Sequence, residues 1–96
     1  MANLLTYNTG GLKGDVTITD KQGVDDEHFI VTVTGNGDGT FSSLTANYQN
    51  GDGDWIQDEP FAINGNVGTL TVYCYSGDEI EINGEFIGGV KELQIT

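Results

Sequence analysis

In the stretch Phe29-Ile30-Val31-Thr32-Val33-Thr34-Gly35-Asn36-Gly37 apolar residues recur at every second position, and an Asn-Gly pair closes the run. In an extended chain successive side chains point to opposite faces, so Phe29, Val31 and Val33 share one face and Thr32 and Thr34 the other. One face is built for a core and the other for contact with water. β-Branched residues favour this backbone. The Asn-Gly pair supplies the positive φ that a tight reversal needs, which Asn tolerates and Gly adopts freely.

The same pattern recurs on both sides. Val16 and Ile18, then Leu44, Ala46 and Tyr48, then Leu70, Val72 and Cys74 alternate with more polar neighbours, including Thr17, Thr19, Thr69 and Thr71. Further Asn-Gly pairs stand at Asn50-Gly51, Asn64-Gly65 and Asn83-Gly84. Read as hairpin turns, these pairs fold the chain back on itself four times. No segment holds apolar residues at helical spacing over three turns, and 15 glycines weaken any helix. The pattern predicts an all-β fold of seven or eight short strands, in a small antiparallel β-sandwich with jelly-roll or Ig-like connections. Short, unequal strands favour two open sheets over a closed barrel. Residues 15–96 are expected to form the sandwich and residues 1–14, rich in glycine and poor in alternation, an extended N-terminal arm. At the far end, Val90 to Thr96 suggest a last strand with Leu93 and Ile95 facing inward. A hairpin at Asn83-Gly84 would set Ile80 opposite Ile87 and Glu81 opposite Phe86, mixing charge and apolar groups on one face.

Across its 96 residues the chain holds 15 carboxylates, three lysines and no arginine, a formal charge of −12. Phosphate backbones and anionic membranes are bound through clustered Lys and Arg, and Lys13, Lys21 and Lys91 lie far apart in sequence. Nucleic acid and membrane are therefore excluded as partners. A lone cysteine, Cys74, cannot form an intrachain disulfide, and its place in an alternating run makes it a core residue. Met1 to Gly14 lacks the basic start and apolar run of a signal peptide. Synthesis in the cytoplasm is the expectation, with a virion surface as a further destination.

Several side chains are candidates for function. Asn50, Asp52, Asp54 and Glu59 place oxygen-bearing groups on and beside a glycine-rich loop, the donor type that Ca²⁺ takes. The EF-hand spacing fails, because Tyr48 stands where its first Asp belongs, and a solvated hairpin loop is the favoured reading. No other cofactor is indicated. Asp25, Asp26, Glu27 and His28 form a second acidic knot, but neighbours on an extended chain point in different directions. Trp55, the sole tryptophan, sits in the most polar part of the chain, where an indole can stack on a sugar, anchor a protein interface or fold back with Phe61 onto the core. Tyr73 and Tyr75 share a face with Thr69 and Thr71 and form a candidate contact stripe. Leu4, Leu5, Tyr7 and Leu12 in the arm need burial, against this domain's open end or on a neighbouring subunit. Catalysis finds little support: His28 is the only imidazole, and neither Cys74 nor Ser42, Ser43 or Ser76 stands in a nucleophile motif.

This profile resembles the small decoration, or cement, proteins of phage capsids: very short, glycine- and threonine-rich, all-β, strongly acidic, with a loose N-terminal arm and no leader. The resemblance rests on the profile of the whole chain and carries over no individual residue. It implies a non-enzymatic structural protein that binds a larger assembly, with a capsid or other virion protein as partner and a homo-oligomer, a trimer foremost, as its form. Two other readings fit the residues. One is a carbohydrate-binding β-sandwich using Trp55 and Tyr73, with Ca²⁺ assistance from the acidic loop. The other is an acidic DNA mimic that inhibits a nucleic-acid enzyme, although its acids are scattered through turns rather than gathered on one element.

Overall fold

The computed structural model describes residues 5–9, 13–20, 28–75 and 77–87. Among these described residues eight strands run in chain order: β1 (Thr6–Asn8), β2 (Gly14–Asp20), β3 (His28–Gly35), β4 (Thr40–Gln49), β5 (Trp55–Pro60), β6 (Ala62–Asn64), β7 (Val67–Tyr73) and β8 (Glu79–Ile87). They form two four-stranded sheets, in the order β1-β8-β4-β5 and β2-β3-β7-β6. The protein is all-β, a small β-sandwich. The chain visits the sheets in turn, with β1 in the first, β2 and β3 in the second, β4 and β5 in the first, β6 and β7 in the second, and β8 back in the first.

Alternation dictates the core. Phe29, Val31, Val33 and Val72 come from the second sheet, Leu44, Ala46, Tyr48, Ile80 and Ile82 from the first, and all are buried in one cluster. Val16, Ile18 and Leu70 pack against it, partly covered. The sheets approach closely at Gly68, where an added Cβ would come within 2.3 Å of Leu44 Cδ2. Glycine is the side chain that this spacing admits.

The turns depart from the expected pattern in two places. Asn50-Gly51 opens the β4–β5 connection as expected. Asn64-Gly65 also lies at a reversal, although Asn64 is still paired with Val67, so Gly65 and Asn66 are the two turn residues. Gly65 has φ 65°, the positive value at the first turn position that a type II′ hairpin requires. Asn36-Gly37, by contrast, is not a hairpin: β3 pairs with β2 and β7, and the segment carries the chain across to β4 in the other sheet. Asn83-Gly84 is no turn at all. It lies inside β8, with Asn83 paired to Thr45 and Gly84 to Leu44. Ile80 and Ile82 are fully buried, and Phe86, two pleats further on, packs edge-to-face on Phe41 at 4.9 Å. A turn at Asn83 would remove those side chains from the core, so long-range burial overrides the local preference. A β-bulge between Phe41 and Ser43 keeps Phe41 inward although the parity of β4 changes there.

The beginning of the chain also differs in its local form. Thr6–Asn8 is a strand, paired with β8 in parallel, whereas the other pairings in both sheets are antiparallel. Thr6 N–H donates to the Asp78 carbonyl at 3.0 Å. Leu5 is 4% exposed and belongs to this domain's own core, the first of the two burial sites expected for it, and so does not offer its side chain to a neighbour. The expected strand at Val90 to Thr96 lies outside the described residues.

Candidate functional site

The outer face of the β1-β8-β4-β5 sheet gathers side chains from four strands that are distant in sequence. Register sets Asn8 of β1 beside Glu81 of β8, and Glu81 beside Asn47 of β4. One pleat further along, Thr6 lies beside Glu79, and Gln49 of β4 faces Trp55 of β5. Together Asn8, Asn47, Gln49, Trp55, Asp78, Glu79 and Glu81 line an open cleft of about 330 Å³. Trp55 is 69% exposed, the most exposed large apolar side chain among the described residues.

Hydrogen bonds hold this face in shape. Asn47 Nδ2 donates to Glu81 Oε1 at 3.0 Å, while Asn47 Oδ1 accepts from the Asp58 N–H at 2.7 Å. Asp58 is the point where β5 bulges away from β4: the register shifts between Ala46 and Tyr48, and Asp58 has φ 57°. The left-handed region is costly for most L-residues and least so for Asn, Asp and Gly. Asn47 therefore fastens a strained bulge on one side and orients a carboxylate on the other. Gln49 Nε2 donates to the Gly53 carbonyl at 3.1 Å, tying the cleft to the β4–β5 loop.

That loop is a self-contained turn. Asn50 Oδ1 accepts from the Asp52 and Asp54 N–H groups, each at 2.9 Å, and the Asn50 N–H donates to the Asp54 carbonyl at 2.9 Å. Such Asx bonding is the usual work of Asn in a turn. Glu59 lies at the other end of β5, where its Oε1 accepts from Tyr48 Oη at 3.0 Å. Of the four candidate Ca²⁺ ligands, Asn50 and Glu59 thus accept hydrogen bonds through their side chains, Asp52 and Asp54 are tied to the loop through their backbone, and Glu59 stands at the far end of β5 from the other three. Among the described residues, no three His, Cys, Asp or Glu side chains converge where an ion could sit.

The aromatic candidates separate. Tyr73 ends β7 in the other sheet, stacks on His28 with ring centroids 4.9 Å apart, and lies under Gly51, whose N–H donates to the Tyr73 carbonyl at 2.9 Å. An added Cβ at Gly51 would come within 2.4 Å of the Tyr73 ring. Tyr73 supports the loop and does not line the cleft. Tyr75 is exposed beyond the end of β7, with its N–H donating to Asp78 Oδ2 at 3.2 Å. Tyr7 is exposed on β1. Leu4, Leu12 and the acidic residues Asp25, Asp26 and Glu27 lie outside the described residues.

Two buried groups hold their protons tightly. Burial, with the Asp78 carboxylate adding to it, pushes the Cys74 thiol up to about 11. Tyr48 is raised well above its ordinary value by burial and by the Glu59 carboxylate that accepts its proton's hydrogen bond. A fully buried thiol that stays protonated is not poised as a nucleophile.

No protein-family model, curated protein or solved structure matches the chain.

Proposed function

We propose that this is a non-enzymatic structural domain that attaches to a larger protein assembly, as the decoration proteins of phage capsids do, through the outer face of the β1-β8-β4-β5 sheet. The observation that carries the reading is Trp55: an indole 69% exposed on a face whose neighbours are fixed by strand pairing and hydrogen bonds. Tryptophan is among the residues most enriched at interface hot spots, and a rigid surround lowers the ordering cost of binding. Tyr7 and Tyr75 are also exposed but lie outside this cleft, so the reading rests on Trp55 and its neighbours. Density-gradient sedimentation of a source lysate tests it. The wild-type chain is expected to travel with large particles, virions foremost, and Trp55→Ala to remain at the top of the gradient. Wild-type protein confined to the top would contradict the proposal.

A carbohydrate-binding reading draws support from the amides of Asn8, Asn47 and Gln49 beside the indole. Amides and an aromatic face suit sugar hydroxyls and C–H faces. Quenching of Trp55 fluorescence by a neutral oligosaccharide would favour it; a glycan panel without effect would remove it.

A further inference from the structure

We infer that the partner surface is basic, and that it seats a Lys or Arg side chain over the Trp55 indole between the carboxylates of β8. The inference rests on the attachment reading above and names the chemistry of the same face. Its warrant is charge complementarity. Glu79, Glu81 and Glu85 share one parity of β8, with Asn83 between the last two, and Asp78 precedes the strand. Asp78, Glu79 and Glu81 all line the cleft with Trp55. Lys13, the one lysine among the described residues, immediately precedes β2 of the opposite sheet. The carboxylates of this face thus have no cation of their own sheet to pair with among the described residues.

The alternatives fare worse on energetic grounds. A neutral partner closing over this face would strip water from three carboxylates and give them no counter-charge, which is among the most costly events in association. A second copy would bring a further −12 charges toward the same face. A cation reverses the sign of that cost. Guanidinium is the best match, since it stacks flat on an indole and pairs with a carboxylate through two parallel hydrogen bonds, and lysine serves as a point charge. Trp55 of β5 and Glu79 of β8 stand on the two strands that flank β4 and line the same cleft with Gln49, so a guanidinium seated in that cleft can address indole and carboxylate together.

The opposite face shows what this sheet lacks when it is neutral. Thr17 of β2, Thr32 of β3 and Thr69 of β7 form one rank across the second sheet, and Thr19, Ile30 and Thr71 form the next. These two ranks carry no charge. Asp15, paired with Thr34 one rank further on, is the acidic residue on that face among the described residues of its paired strands, whereas three carboxylates meet in the cleft beside Trp55.

Titration of the full chain with an arginine-rich peptide, followed by Trp55 fluorescence, tests the inference against a Gly-Ser peptide of equal length. General attraction of polycations to an acidic protein is separated by two variants of equal net charge, E79Q/E81Q on the face and D15N/D38N away from it. Circular dichroism establishes that both keep the β-fold. The expected result is quenching by the basic peptide alone, an affinity loss of about five- to tenfold in E79Q/E81Q, and a change of about twofold or less in D15N/D38N. Equal losses in the two variants, no quenching, or equal quenching by the Gly-Ser peptide would each overturn it. Particle attachment lost in Trp55→Ala but retained in E79Q/E81Q would overturn the basic partner while leaving the attachment reading in place.

Discussion

The two outer faces of this sandwich share a core and a backbone type, yet they are built differently. The β2-β3-β7-β6 sheet runs in unbroken register from strand to strand and presents threonine ranks. The β1-β8-β4-β5 sheet is interrupted by two bulges, closes with a parallel edge strand and presents carboxylates, amides and a tryptophan. Regular pairing with β-branched residues is the low-energy way to make a strand. Bulges, left-handed residues and like charges on one strand are departures that cost free energy, and they concentrate where a surface is shaped for contact. The contrast supports the proposal that one sheet is chiefly scaffold and the other carries the contact surface.

The largest effect should come from what the faces share. Ile82→Ala empties a fully buried position between the sheets and is expected to cost about 2–5 kcal/mol, measured by chemical denaturation. Both faces should lose order together in one transition. A variant that unfolded one sheet while the threonine ranks stayed protected from hydrogen exchange would break the description of a common core.

A local change should sharpen the contrast. Asn47→Ala leaves the Asp58 N–H without its acceptor and Glu81 without its donor, and is expected to cost about 1–2 kcal/mol while weakening the basic-peptide titration. Loss of stability with unchanged titration would show that the network supports the fold and not the cleft.

These residues also mark how far the sequence could be read. Alternation exposed β2, β3, β4 and β7 and their inward residues, because a half-buried strand must repeat every two residues. Asn50-Gly51 and Asn64-Gly65 were legible as reversals for the same local reason. Asn83-Gly84 misled, because a turn preference is local while the burial of Ile80, Ile82 and Phe86 is settled by strands about forty residues away. Trp55 stood out by its polar surroundings. Its companions did not, since Asn8, Asn47 and Glu81 meet only through strand register, and no local spacing records that. Nor does any local signal disclose the bulge at Asp58.

A pH dependence follows from the core beneath both faces. The unfolded thiol of Cys74 ionises near its ordinary 9.0, whereas the folded one keeps its proton to about 11. The folded pKa is the higher one, so this contribution to stability is whole below pH 9.0 and is lost as pH rises toward 11. Tyr48 acts with the same sign at higher pH. Denaturation midpoints should fall across that window in the wild type and less steeply in Cys74→Ala. An identical slope in the two would assign the alkaline loss elsewhere.

The smallest effect is expected on the threonine side. Thr32→Ala at the middle of its rank should change stability by about 0.5 kcal/mol or less and leave peptide binding unaltered in the fluorescence titration. A marked loss of binding there would undo the division between scaffold and contact face.

The most direct measurement is a backbone amide NMR titration of the full chain with the arginine-rich peptide. Shifts concentrated at Asn8, Asn47, Gln49, Trp55, Glu79 and Glu81 would bear out the assignment of one face as the contact surface. Shifts centred on Thr17, Thr32 and Thr69, or spread evenly over both sheets, would contradict it.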